Sequence, residues 1–214
     1  MIRNIQRVLL LLLLSYLSGC AVQVVERSAD IKPTKSTFKK IVVLKPDFYK
    51  IEKGKNDIYK NEKAIKLEKR LVNSFKRAAG RNNVSIVVPG IDDTMDAEYF
   101  NKVDRLEKEM TLTSYILSLN NKNEKLNKPV KEPLATNLIL SPDLQSLQMK
   151  YGTPYFLYTI VVDEDGLFVV SVLADVSTGK IIYRELKGVL PMKAKGANLD
   201  MLVFDSFNEL LSWK

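Results

Sequence analysis

The chain has 214 residues, with 33 basic and 25 acidic side chains, a formal net charge of +8 and no histidine. Without histidine, Ser-His-Asp triads, Cys-His dyads and histidine-based zinc sites are excluded. The single cysteine excludes a disulfide within the chain, and no phosphate-binding loop or dinucleotide fingerprint is present. We therefore expect no enzyme, no cofactor and no metal. The mild, scattered lysine excess suits anionic lipid or wall polymers rather than nucleic acid.

The first twenty residues follow a fixed order: a basic start, a short apolar core, small residues and a cysteine. Arg3 and Arg7 precede an apolar stretch from Val8 to Leu17, which is about half of what a membrane-spanning helix needs. The stretch closes on Leu17-Ser18-Gly19-Cys20. This order resembles a bacterial lipoprotein signal peptide with its lipobox.

The resemblance implies that residues 1–19 are removed and that Cys20 carries the lipid, including palmitate-type acyl chains. Two or three chains, as in that class, make an effectively permanent anchor. Ala21 follows instead of an aspartate that would favour inner-membrane retention. If the organism has two membranes, we therefore expect the periplasmic side of the outer membrane. The 195 residues that remain are enough for one domain with a core.

Residues 20–37 are polar and irregular, with Pro33 and several charges, and we interpret them as a lipidated tether. As a flexible coil, this tether has a reach of roughly 20–25 Å, which would let a single domain at 38–214 stand off the membrane. The domain is predicted to begin with a strand from Phe38 to Leu44, and a charged loop follows through Gly54.

A helical pattern then runs from Ile58 to Ala79, and Gly80 is predicted as the residue that ends this helix. Its apolar face consists of Ile65, Leu71, Val72, Phe75 and Ala79. A second face, within 63–77, is basic and consists of Lys63, Lys66, Arg70 and Arg77. We interpret the basic face as a solvated surface; a strip that contacts lipid or a partner is the alternative.

The middle of the chain predicts a strand, a helix and a long loop. Val84 to Val88 reads as the strand, and Asp92-Asp93-Thr94 as a helix start with acids at the positive end of the dipole. The apolar stripe of that helix is Met95, Tyr99, Val103, Leu106 and Met110. The pattern of residues 111–119 fits either a helix or a strand, and residues 120–136 are predicted to be a mobile loop.

The last third contains the clearest β pattern. A short helix starts at Ser141-Pro142-Asp143 and ends near Tyr151-Gly152. Three strands follow, joined by turns at 163–166 and 177–179: Tyr155 to Val162, Leu167 to Val176 and Lys180 to Leu190. A final helix begins near Asn198, and its apolar spacing predicts an inward face of Leu199, Leu202, Val203, Phe207, Leu210 and Leu211. The predicted fold is α/β (α+β): a mixed sheet of about five strands with a C-terminal three-stranded meander and helices packed on it.

Two segments of this region carry a second resemblance. They are Lys150-Tyr151-Gly152-Thr153-Pro154-Tyr155-Phe156-Leu157 and Asp175-Val176-Ser177-Thr178-Gly179-Lys180-Ile181-Ile182. Together they are similar to a module of envelope proteins, seen in the amino-terminal domain of the TolB translocation protein, in curli-secretion lipoproteins and in lipoprotein activators of penicillin-binding proteins. The specific residues fall within 141–183. The resemblance implies a non-catalytic module that works through contacts with an envelope protein.

Two acidic clusters offer an enzymatic alternative, a carboxylate-dependent periplasmic glycan hydrolase. The first, Asp92/Asp93/Asp96, is better explained by a helix start, and the second, Asp163/Glu164/Asp165, by a hairpin tip. The second cluster also lacks the later ligands of a calcium loop. Five aromatic residues within 151–168 predict core packing or, alternatively, an exposed binding strip: Tyr151, Tyr155, Phe156, Tyr158 and Phe168. A small-molecule or lipid carrier is the remaining alternative, and it would need a large apolar cavity.

Overall fold

The computed structural model describes residues 21–27, 37–52, 55–57, 62–94, 96–123, 140–163, 167–189 and 199–211. Its strands are β1 (Ala21–Arg27), β2 (Lys40–Val43), β3 (Asp47–Glu52), β4 (Lys55–Asp57), β5 (Ser85–Val87), β6 (Tyr155–Asp163), β7 (Leu167–Asp175) and β8 (Lys180–Val189). Its helices are α1 (Glu62–Arg81), α2 (Ala97–Asn123), α3 (Ser146–Tyr151), which follows a 3-10 turn at Pro142–Gln145, and α4 (Leu199–Leu211). The predicted signal peptide, Cys20 and residues 124–136 of the predicted loop lie outside the described residues.

The strands form one mixed sheet, with a continuous path in the order β1-β8-β7-β6-β2-β5. The first four of these strands are antiparallel neighbours, whereas β2 runs parallel to both β6 and β5. β2 pairs with the beginning of β6 and β3 with its end, so residues 40–52 act as one long strand interrupted around Pro46. The mixed α/β fold and the C-terminal meander are confirmed.

Helices cover both faces of the sheet. On one face, α1 and α4 enclose a cluster that includes Phe38, Ile41, Leu71, Phe75, Leu157, Val169, Tyr183, Val203 and Phe207. On the other face, α2 and α3 enclose a cluster that includes Val42, Leu44, Leu106, Met110, Leu147, Phe156, Tyr158, Val172 and Ile181. Because both faces are buried, the central strands are almost continuously apolar, as in β7, where every residue from 169 to 175 is buried.

A polar network lies within the first of these faces. Glu185 of β8 is fully buried and accepts a hydrogen bond from the Ser206 hydroxyl of α4. Ser206 in turn lies 3.1 Å from the Ser171 hydroxyl. From the edge of the sheet, Gln23 Nε2 of β1 donates to Glu185 Oε1 at 2.9 Å. Hydrogen bonding of this kind offsets the cost of burying a carboxylate, and it links β1 and α4 to the same residue.

Three strands occur where the sequence predicts irregular chain, so the described sheet has eight strands and not about five. β1 lies in the predicted tether, and β3 and β4 lie in or beside the predicted charged loop. β3 has no apolar–polar alternation because its neighbouring residues Phe48 and Tyr49 pack into opposite clusters. β1 contains four apolar residues among seven, and its pairing with β8 along all seven residues is a backbone interaction that composition does not reveal.

Helix α1 confirms the predicted apolar face but not the predicted end. Leu71, Val72, Phe75 and Ala79 are buried, and the Ile65 side chain lies outside the described residues. Gly80 is helical, and the residue with the left-handed conformation is Asn83, with φ of 55°. The helix therefore continues to Arg81, because the sharp change of direction is made by an asparagine, which tolerates positive φ better than most residues.

Helix α2 begins at Ala97, later than predicted. Asp96 is its cap, since Asp96 Oδ1 accepts the Tyr99 N–H at 3.0 Å. Asp92 and Asp93 instead close the preceding turn by accepting the N–H groups of Val88 and Gly90. The core positions of the predicted stripe, Val103, Leu106 and Met110, are buried. The backbone of residues 111–123 is helical, so 111–119 are not a strand and the first four residues of the predicted loop at 120–136 belong to the helix.

The short helix and the last hairpin lie where predicted. Ser141 precedes the 3-10 turn, but its hydroxyl and N–H both donate to Glu109 of α2, at 2.5 and 3.1 Å. The Ser141 hydroxyl therefore does not cap the turn, because it is held by Glu109 and makes no hydrogen bond to a backbone N–H of the turn. Gly152 and Gly179 have φ of 65° and 68° and end α3 and the β7–β8 turn, as their positions predict. None of the described helices has the length and apolarity needed to cross a membrane.

Candidate functional site

In the described part of the chain, a cluster of titratable and hydroxyl side chains lies between β3, β6 and α2. We call it the carboxylate–tyrosine cluster: Asp47, Tyr49, Glu107, Thr111 and Tyr158. The Tyr158 hydroxyl donates to Asp47 Oδ2 at 2.5 Å, and the Tyr49 hydroxyl donates to the same oxygen at 3.2 Å. Thr111 Oγ1 donates to the Tyr158 hydroxyl oxygen at 3.1 Å. Asp47 therefore accepts hydrogen bonds from two tyrosines of neighbouring strands.

The strand register and the helical repeat bring these side chains together. Asp47 opens β3 directly after the buried Pro46 and lies opposite Ile160 of β6, two residues from Tyr158. Glu107 and Thr111 are four residues apart on α2 and so share one helix face. Tyr158 is buried under that face, with about 1% of its surface exposed. The cluster therefore lies at the contact between α2 and the strands β3 and β6.

Glu107 is electrostatically unusual. Burial, and then the nearby Asp47 carboxylate, raise the pKa of Glu107 to about 7, against a partial offset from the backbone N–H of Lys45. The positive charge of Lys45, whose ammonium lies 3.2 Å from Glu68 of α1, also lowers the pKa of Glu107 in part. Burial and Asp47 also raise the pKa of Tyr49 to about 12, and they raise the pKa of Tyr158 further. Glu107 can therefore hold or release a proton near neutral pH.

The cluster meets one requirement of the hydrolase alternative, two neighbouring carboxylates of which one is desolvated. Neither Asp47 nor Glu107 belongs to an acidic cluster of the sequence, and 60 residues separate them. No spacing or motif in the chain pairs them. The signal that would have found them is the register of β3 against β6, which becomes visible only in the folded chain.

The acidic clusters that the sequence does show form no such pair in the described residues. Asp92, Asp93 and Asp96 are used in a turn and a helix cap, and Asp92 Oδ1 also pairs with the Lys76 ammonium at 2.7 Å. Asp163 ends β6, and residues 164–166 lie outside the described part of the chain. Within that part, no group of three or more acidic or cysteine side chains could hold a metal ion.

The aromatic residues of 151–168 are core residues, not an exposed strip. Tyr151, Phe156 and Tyr158 are buried, and Tyr151 packs edge-on against Phe156 with ring centroids 5.8 Å apart. Tyr155 packs edge-on against Phe38. Phe168 lies across from Gly188, where an added Cβ would overlap its ring. The packing interpretation is confirmed for this group.

The basic face of α1 is a solvated surface with one defined contact to a second helix. Lys66, Arg70 and Arg77 are exposed, and the Lys63 side chain lies outside the described residues. Arg70 Nε donates to Asp200 Oδ2 of α4 at 2.8 Å, which links the two helices of this face. Arg77 bonds to Ser74 on its own helix.

A second surface carries exposed apolar side chains, and we call it the α2–α3 surface. Lys150 of α3 lies 3.3 Å from the Thr94 carbonyl oxygen and 4.3 Å from the Tyr99 ring centroid. Lys102 of α2 bonds to Ser146 at 2.8 Å. These contacts join α3 to the start of α2, and Phe100 and Met149 beside them are 58% and 81% exposed. Extended exposed apolar patches mark protein contacts, whereas single exposed apolar side chains are common on protein surfaces.

No family model matches the chain, and no curated protein matches it. Among solved structures, a variant PelC dodecamer from Paraburkholderia phytofirmans has 10% identity and a TM-score of 0.44 over 92% of this chain and 99% of that chain. The LpoB C-terminal domain from Salmonella enterica has 12% identity and a TM-score of 0.33 over 72% and 84%. The LpoB C-terminal domain from Escherichia coli has 15% identity and a TM-score of 0.32 over 75% and 88%. Likeness at this level transfers no function.

Proposed function

We propose that this protein is a lipid-anchored protein of the bacterial cell envelope, at the periplasmic side of the outer membrane, whose α/β domain acts as a non-catalytic assembly module. The observation that carries the proposal is the run from Arg3 through the apolar core to Leu17-Ser18-Gly19-Cys20. A thiol that is consumed by lipid, in a chain without histidine, removes thiol and histidine chemistry, and we expect the domain to work through contacts.

Lipidation is tested by labelling cells with a radioactive or clickable palmitate analogue. The mature protein should take up the label, and Cys20→Ala should abolish it. Ser18→Ala is the matched control, because it keeps a small residue before the cysteine and should leave labelling unchanged. Label that persists in Cys20→Ala would contradict the anchor.

The contact role is supported by the α2–α3 surface. We expect a partner protein to be recovered with the wild-type protein from detergent-solubilised envelopes after crosslinking. The variant Phe100→Glu/Met149→Glu should lose that partner, because two charges replace exposed apolar area. Met201→Glu is the control, since Met201 is similarly exposed, at 61%, but lies on α4. Repeated recovery of the wild-type protein alone would refute the assembly role.

The glycan hydrolase is a second candidate, and the Asp47–Glu107 pair is the observation that favours it. In that case purified protein should cleave cell-wall glycans, and both Asp47→Asn and Glu107→Gln should remove the activity while the fold is kept. No observation of this kind favours the alternative of a small-molecule or lipid carrier. Large buried side chains, among them Tyr158, Phe75 and Phe207, occupy the space between sheet and helices.

A further inference from the structure

The strand register places the start of the mature chain at one end of the sheet. Ala21 lies opposite Val189, Val189 opposite Leu167, Leu167 opposite Asp163, and Asp163 opposite Lys50. These residues form a single row across five strands, and we call this row the anchor end. Cys20 is the next residue outside the row, because it is bonded directly to Ala21.

This arrangement leaves no free chain between the lipidation site and the folded domain. Adjacent Cα atoms are 3.8 Å apart, in contrast to the 20–25 Å reach expected of a coil over residues 20–37. β1 is held along its whole length by β8, and Gln23 adds a side-chain bond to the buried Glu185. The attachment point therefore moves with the sheet.

We infer that the anchor end of the sheet lies directly against the lipid surface, an inference that rests on the proposed lipidation of Cys20. The row spans about 19 Å across four strand spacings of about 4.8 Å. Three of its five residues, Ala21, Leu167 and Val189, are apolar. Beyond the row, β3 continues through Glu52 and turns back in β4, about 7 Å farther out at about 3.3 Å per residue. The β3–β4 pair thus extends past the level of Cys20 toward the headgroups.

The opposite end of the sheet faces away from the lipid. β8 runs for ten residues from Val189 back to Lys180, which is about 30 Å. The β7–β8 turn lies there, and so does the start of β6, since Tyr155 pairs with Asp175. Helix α3 ends at Tyr151, shortly before β6 begins. The α2–α3 surface therefore adjoins the end of the domain that is available to a partner.

Fluorescence quenching in vesicles tests this orientation. The natural lipidated chain is reconstituted into vesicles of phosphatidylethanolamine and phosphatidylglycerol that contain a headgroup-linked quencher. Because lipid occupies the only native cysteine, an introduced cysteine is labelled alone. A fluorophore on Asn56→Cys of β4 should be strongly quenched, and one on Thr178→Cys of the β7–β8 turn should not. Equal quenching at both sites, or stronger quenching at Thr178→Cys, would overturn the inference.

A linker variant tests whether the short attachment is the cause. Ten Gly/Ser residues inserted after Ala21 should lower quenching at Asn56→Cys several-fold while the protein still floats with the vesicles. Quenching that is unchanged by the insertion would overturn the inference. Failure of the wild-type chain to float with vesicles is a different result, because it contradicts the lipid anchor itself.

Discussion

Replacing Glu107 by Gln should make the fold less sensitive to pH. The pKa of Glu107 is 4.5 as an ordinary glutamate and about 7 in the folded protein, because of burial first and Asp47 second. Between these values the folded state binds more protons than the unfolded state, so the free energy of unfolding falls as pH rises. At about 1.4 kcal/mol per pH unit, the full interval corresponds to about 3 kcal/mol. About 2 kcal/mol of it should be lost between about pH 5 and pH 8.

Glutamine removes the ionisation but keeps an oxygen that can accept the Lys45 N–H. We expect Glu107→Gln to be more stable than wild type by about 2–3 kcal/mol at about pH 8, and by less than about 1 kcal/mol at about pH 5. Urea unfolding followed by tyrosine fluorescence and circular dichroism at both pH values measures the difference. Asp205→Asn, an exposed acid on α4, is the control and should keep the wild-type pH dependence. A Glu107→Gln variant with the wild-type pH dependence would refute this account of the cluster.

Two further substitutions test the packing of Gly188 against Phe168 and the hydrogen bonds between Glu109 and Ser141, both by urea unfolding. Gly188→Ala should lower the free energy of unfolding by about 1–3 kcal/mol because its Cβ would overlap the Phe168 ring. In a Phe168→Ala background, the same Gly188→Ala substitution should cost much less. If the losses of the two single variants simply add in the double variant, the clash is refuted. Glu109→Ala should cost about 1–2 kcal/mol because Ser141 loses both of its hydrogen bonds to that carboxylate. The exposed Glu98→Ala on the same helix should cost less than about 0.5 kcal/mol, and similar losses in both variants would contradict a stabilising role for the Glu109–Ser141 contact.

The C-terminal half of the fold could be predicted because its turn residues and its apolar pattern indicate the same strands and the same final helix. Gly179 supplies the positive φ of the β7–β8 turn, and long apolar runs on both sides are strands buried on two faces. Amphipathic spacing likewise placed Val203 and Phe207 of α4 in the core. Turn residues and periodicity are local signals, so one sequence is enough to read them.

The N-terminal half could not be predicted in the same way, because its strands are determined by pairing and packing with residues that are distant in sequence. β1 is a strand because all seven of its residues pair with β8, and β3 shows no alternating pattern because it places Phe48 and Tyr49 in opposite clusters. The same cause hid the carboxylate–tyrosine cluster, since Asp47 meets Glu107 only after β3 pairs with β6. Cys20 lies outside the described residues, so its lipidation stays a prediction from the motif.

The pairing of β1 with β8 also bears on when the protein finishes folding. Ala21 and Val189 are more than 160 residues apart, so β1 has no partner until nearly the whole chain is available. Closing so long a loop is entropically costly and slow relative to local hairpins, and the meander of β6 to β8 can form before it. We expect β1 to join last. If Cys20 carries the proposed lipid, a newly exported chain would be attached by a loose segment until β1 pairs, and completion of the sheet would draw the domain to its anchoring residue.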